Sequence, residues 1–168
     1  MGKRSIRKDK NIYQLSREEN DLTREKASEL MEYISADRIE KIESEKSLPH
    51  PDEILTMAKC YKKPVLSNYY CSHECPIGQV SIPELEVKDL SRIILEMLDS
   101  LNQIDKEKNR LIEITADGTI TGDEYRDFVE IRNKLNNISM TINSLQLWVD
   151  QKIADGYLDA EKLKQESR

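Results

Sequence analysis

The sequence is short of the residues that build sheets, staples and membrane spans. Aromatics make up 5% of its 168 residues, with one Phe and one Trp, and there are five Gly and five Pro. So few aromatic and turn-forming residues disfavour a β-sandwich or barrel. Three Cys is an odd number, which argues against a secreted disulfide framework. No run approaches the ~20 apolar residues of a membrane-spanning helix. The first ten residues are basic but lack the apolar core of a secretory signal. What the chain does have is charge, 35% of its residues, together with abundant Glu, Lys, Leu and Ile, the composition of helices. The expectation is an all-α, cytoplasmic protein.

The net charge of −6 is unevenly spread. Residues 1–10 carry +4, residues 11–78 carry −4, and residues 79–168 carry −6. Outside its N-terminal arm the chain would repel a phosphate backbone on average. Any nucleic-acid contact therefore depends on a few well-placed cations.

Punctuation divides the chain in two. Up to about residue 80 the helical patterns are short and often broken. Thr23 and Ser35 are candidate N-caps, and Pro51 suits the first position of a helix running to Cys60. Ala27 with Leu30, Ile39 with Ile42, and Ile54, Leu55 and Ala58 supply buried stripes. The second half carries long seams instead. Val87, Leu90, Ile94, Met97, Leu101, Ile104 and Leu111 follow alternating spacings of three and four, broken only at Lys108. Phe128, Ile131, Leu135, Ile138, Ile142, Leu145 and Val149 repeat the pattern, the spacing of coiled-coil-like packing. Thr115–Gly122 has the residues of a tight reversal, and Thr121 with Glu124 fits a capping box. A reversal this short predicts an antiparallel hairpin. Ile93, Leu98, Ile112, Val129, Met140, Leu147 and Trp148 lie off the main seam. A second apolar stripe implies a covering surface, either a second subunit or the N-terminal domain.

Thr23–Leu30, Ile34-Ser35, Arg38–Glu43, Pro49–Ile54 and Met57–Tyr61 together resemble the phage-repressor-like (Xre) helix-turn-helix family over about residues 11–70. The resemblance implies a five-helix domain whose third helix enters the DNA major groove. Thr23–Leu30 would be the supporting helix and Ser35–Glu43 the recognition helix. Ser35, Ala36, Asp37 and Arg38 would then face base edges, with Lys41 and Lys46 further along. Arg38 could make a bidentate contact to guanine, and Thr23 and Arg24 lie where the family meets phosphate. Lys3, Arg4 and Arg7 of the arm would follow the backbone or a minor groove.

The chain departs from the family at several positions. Arg24 stands where Gln is usual. The turn Met31–Ile34 is longer than the common form and lacks its Gly, and Ser44-Glu45 replaces the usual Arg-Gly. Asp37, Glu40 and Glu43 place acids on the recognition helix. The expected organisation is a basic arm (1–10), a five-helix repressor-like helix-turn-helix domain (11–70), a Cys-containing linker (71–84), a long antiparallel helical hairpin for dimerisation (85–155) and a tail (156–168). The expected function is a transcriptional regulator binding double-stranded DNA as a homodimer. The alternative is a protein-interaction module or adaptor that kept the fold.

Tyr70–Gly78 is the most unusual local run. Cys71, His73 and Cys75 are metal-ligand types at close spacing, yet no second Cys pair completes a tetrahedral site, and thiols packed as small hydrophobes explain the run as well. Glu113–Glu124 overlaps half of a calcium-loop pattern, but Thr115 stands where an acidic ligand belongs, and turn chemistry accounts for Asp117-Gly118. No phosphate-cradling Gly-rich loop, nucleophile elbow or His-Glu-x-x-His motif occurs, so neither an enzymatic activity nor a cofactor is expected.

Overall fold

The computed structural model describes residues 10–116, 118–122 and 124–166, and among these every regular element is helical. Two compact units are formed, one from residues up to Glu84 together with those from Val149 onward, the other from Leu85–Trp148. No described helix is long and apolar enough to cross a membrane.

In the first unit, side-chain caps start the helices where the sequence places them. Helix α1 (Ile12–Glu19) begins at Asn11, whose side-chain oxygen accepts from Gln14 N and whose amide donates to Ile42 O at 2.9 Å. Thr23 caps α2 (Arg24–Met31) by accepting from Lys26 N, and Ser35 caps α3 (Ala36–Glu43) by accepting from Arg38 N. Each cap satisfies an N–H group that the first helical turn would otherwise leave bare. Helix α4 (Pro51–Cys60) opens on Pro51, and the Glu53 carboxylate reaches back to the His50 N–H at 2.7 Å. Helix α5 (Val65–Tyr69) leads into a π-helical turn at Tyr70–Glu74 and a short helix α6 (Gly78–Ser81). Residues 71–84, expected to be a linker, thus form structure belonging to this unit. The core comprises Tyr13, Ala27, Met31, Ile34, Ile39, Ile42, Ile54, Met57, Ala58, Tyr61 and Leu66. All but Ile34 and Tyr61 lie within the first five helices, and each of those helices contributes.

The α2–α3 turn avoids the glycine its geometry would favour. Glu32 sits at φ 60° and ψ −53°, and the Tyr33 N–H bonds to Met31 O at 2.7 Å across it, forming a strained γ-turn. An L-residue in this region carries a steric penalty that Gly does not.

In the second unit, α7 (Leu90–Thr115) starts at Asp89, which accepts from Arg92 N, and is followed by α8 (Glu124–Ala154), whose residues from Val149 onward belong to the first unit. Arg110 pairs with Asp127 at 2.7 Å, and Glu107 pairs with Lys134. Residue numbers fall on α7 as they rise on α8, so the two helices run antiparallel. The Thr121–Glu124 capping box is half formed. The Glu124 carboxylate accepts from Thr121 N at 3.0 Å, while the Glu124 N–H goes to the Thr121 carbonyl rather than its hydroxyl. A final helix, α9 (Ala160–Glu166), lies in the stretch expected to be a tail.

The buried seam differs from the expected one. On α7, Ile93 and Ile114 are fully enclosed, whereas the expected Leu90, Ile94 and Leu101 are exposed; on α8 the expected Ile131 is enclosed, but Leu135 and Ile142 are exposed. Met97, Ile104 and Leu111 belong to both candidate rows and are half-buried. On α7 that shared row is flanked by apolar residues on both sides. Spacing alone does not say which flank meets α8.

Glu32→Gly should raise the stability of the chain by about 1 kcal/mol by removing the positive-φ penalty. A rise in the urea midpoint with unchanged slope is the expected readout, and a fall would show that the Glu32 side chain contributes more than its backbone costs.

Candidate nucleic-acid interface

Helix α3 presents one face to the core and one outward. Ile39, Ile42 and Glu43 are buried, Ala36, Arg38 and Glu40 half-buried, and Ser35, Asp37 and Lys41 exposed. The inward face is fixed by two ionic locks whose members are far apart in sequence.

The first lock centres on Glu43, whose side chain is 0% exposed. Its Oε1 and Oε2 accept from Arg17 Nε at 2.6 Å and Arg17 Nη2 at 2.9 Å, and Oε2 also accepts from Arg24 Nε at 2.8 Å. One carboxylate therefore ties α1, α2 and α3 together. Burial by itself would lower the Arg17 pKa, but its hydrogen bonds and charge pairing with Glu43 outweigh that and raise it. Arg17 was not among the sequence candidates, since an ion pair 26 residues apart leaves no local signal.

The second lock holds α3 to α4. Arg38 donates through Nε and Nη2 to the two Glu53 oxygens, each at 2.7 Å, and also reaches Ser47 Oγ and Leu48 O. The Glu53 bonds raise the Arg38 pKa, and the same bonds, led by that of Arg38, lower the Glu53 carboxyl below its ordinary value. A guanidinium whose fork is engaged this way has no bidentate pair of donors left for guanine. Where a groove contact is expected of Arg38, the structure shows an intramolecular one to Glu53, Ser47 and Leu48.

The other expected contacts separate in the same manner. Thr23 and Ser35 spend their hydroxyl oxygens as helix caps. Arg24 is bound to Glu43 but keeps its side chain 32% exposed. Lys46 pairs with Glu40 at 3.0 Å, and that pair lowers the Glu40 pKa. Lys41 is exposed, and its ammonium has no partner among the described residues. Ala36 and Asp37 are placed on the first turn of α3, Asp37 fully outward. Lys3, Arg4 and Arg7 lie outside the described residues.

The Cys run folds for packing. Cys60, Cys71 and Cys75 are free, half-buried thiols, and burial pushes the Cys60 thiol up. His73 stacks on Tyr69 with ring centroids 4.4 Å apart and approaches Glu84 at 3.5 Å through Nε2. Among the described residues no three His, Cys, Asp or Glu side chains are grouped to hold a metal, so Cys71, His73 and Cys75 do not converge as ligands. A Cβ at Gly78 would lie 2.0 Å from Cys71 O. The glycine therefore lets α6 close directly onto the π-helical turn.

No protein-family model matches the chain, and no curated protein or solved structure matches it.

Glu43→Ala should destabilise the chain by about 3–5 kcal/mol, because it leaves the Arg17 charge buried without a partner. Replacing both residues, Arg17→Met with Glu43→Leu, should cost much less; equal losses in urea unfolding would refute the lock. The Glu53 carboxyl, held below its unfolded value, contributes stability that is present above the ordinary carboxylate range. That contribution is lost as pH falls beneath the ordinary carboxylate range and through its lowered folded pKa. Glu53→Gln should lose stability at neutral pH and show a flatter acid limb in urea midpoints measured across that range.

Proposed function

We propose that the chain is a sequence-specific DNA-binding transcriptional regulator acting as a homodimer in the cytoplasm. The residues around 11–70 are read as a five-helix repressor-like helix-turn-helix domain of the Xre type, and α7 with α8 as its dimerising hairpin. The observation that carries this is the α2–α3 unit. Two eight-residue helices, each with its own side-chain cap, are joined by a short turn, and the second is pinned by Glu43 and Arg38 with its opposite face left open. Such a helix can be offered rigidly to a groove. Under this reading Ser35, Ala36, Asp37 and Lys41 face the bases. Arg24, Lys46 and the basic arm serve phosphate, and Arg38 positions the helix. No enzymatic step or cofactor is assigned.

One observation favours a second reading, in which the domain binds a protein partner. The open face of α3 offers Lys41 beside Asp37, and Lys46 is neutralised by Glu40. A surface this poor in free cations gives phosphate little to bind.

Selection of random duplex DNA by the full chain at low salt separates the two. A recovered motif, with affinity falling steeply as salt rises, is the expected result. Lys41→Ala should then weaken binding by roughly 1–3 kcal/mol with no change in stability if it reads a base edge, or reduce the salt slope by about one if it meets a phosphate. No selected sequence at low salt overturns the regulator reading in favour of the adaptor.

A further inference from the structure

The second unit keeps its inter-helix ion pairs and its apolar surface on opposite sides, with Lys108 interrupting the apolar row of α7. Glu107–Lys134 and Arg110–Asp127 close over one side of the groove between α7 and α8, with Arg92–Glu96 along the same edge. The other side carries Leu90, Ile94, Leu98 and Leu101 of α7, exposed by 37, 37, 52 and 46%, and Leu135 and Ile142 of α8, exposed by 44 and 53%. At about 100° of turn per residue, the α7 row lies clockwise of the row facing α8 (Ile93, Met97, Ile104) when viewed from the helix N-terminus. The α8 row lies clockwise of Ile131 and Ile138 in its own view. Because the helices are antiparallel, both clockwise sides fall on one side of the pair and form a single apolar face.

Ile93, Ile114, Ile131 and Leu147 are the only buried apolar side chains among the described residues of these two long helices. That is too little apolar burial to offset the ordering of so many residues, so the open face is expected to be covered. Its borders say by what. In a chain whose residues are 35% charged, Asn102, Asn109, Ser139 and Asn143 line the outer edges. The charges there are Asp105, which holds Lys108 at 2.8 Å, and Arg132, which has no ion-pair partner among the described residues. Asp105 and Arg132 stand on opposite edges of the face. Each lies five residues further from the connecting turn than the paired Arg110 and Asp127, so they are level with one another. A two-fold axis parallel to the helices sets α7 of each copy against α8 of the other without shifting this level. Asp105 then meets Arg132 of the second copy, twice per dimer.

We propose that this apolar face is the docking surface for a second copy of the chain, packed as a four-helix bundle with reciprocal Asp105–Arg132 pairs. This deepens the dimeric regulator reading, on which its use in DNA binding rests, but its geometry is tested without DNA.

The test is the mass of the full chain in solution by sedimentation equilibrium. A dimer at micromolar concentration is expected, and Leu101→Glu should convert it to monomer while far-UV circular dichroism keeps its helical signal. Asp105→Arg and Arg132→Asp should each weaken the dimer about tenfold, and the two together should restore it, because reversing both charges recreates the pair. If Leu101→Glu loses its helical signal, the charge-reversal cycle on exposed residues decides. A monomeric wild-type chain, a dimer untouched by Leu101→Glu in a folded variant, or a double reversal that fails to restore association overturns the proposal. A chain that dimerises through this face yet selects no DNA upholds the face and overturns the regulator reading. A chain that selects DNA as a monomer does the reverse.

Discussion

The first unit is organised around a single buried carboxylate. Glu43 closes α3 onto α1 and α2 by accepting from Arg17 and Arg24, and it is fully withdrawn from water. A carboxylate in that setting is tolerable only because the Arg17 fork engages both oxygens and Arg24 adds a third bond. Apolar packing by Ile39 and Ile42 would hold α3 against the core. The ionic lock is directional and also fixes which way the helix is turned. Arg38 extends the same logic to α4 through Glu53.

This arrangement changes what the net charge means. Arg17, Arg24 and Arg38 are three of the basic groups in residues 11–78, and all three are engaged by acids of the same unit. Glu43 is likewise withdrawn, so α3 is less acidic outward than its composition suggests. The open surface of α3 is left with Asp37, Glu40 and Lys41, close to balanced in sign. A regulator built this way would draw its affinity from the arm and a few side chains. Its specificity would come from a rigidly held helix rather than a broad basic patch.

The Cys run and the second unit repeat a lesson about local chemistry. Cys71, His73 and Cys75 have ligand chemistry, but the π-helical turn stacks His73 on Tyr69 and folds α6 against the Cys71 carbonyl. On α7, Met97, Ile104 and Leu111 form a row that two different seams can share. On α7 the flank with Ile93 and Ile114 is enclosed and the flank with Ile94 and Leu101 is open.

The amino-acid sequence by itself determined that the described chain is helical and where several of its helices begin. Thr23, Ser35 and Pro51 act within three or four residues of themselves, and caps and proline work through the nearest backbone groups. Apolar spacing likewise revealed that α7 and α8 are long and two-faced. Only the tertiary structure decided that Arg38 holds α4 rather than standing free, that Arg24 and Arg17 share Glu43, and that Ile93 rather than Ile94 is enclosed. Those outcomes depend on which side chain lies across the core, often many residues away. Charge and spacing are identical for a cation that is free and one that is locked, until the chain has folded around it.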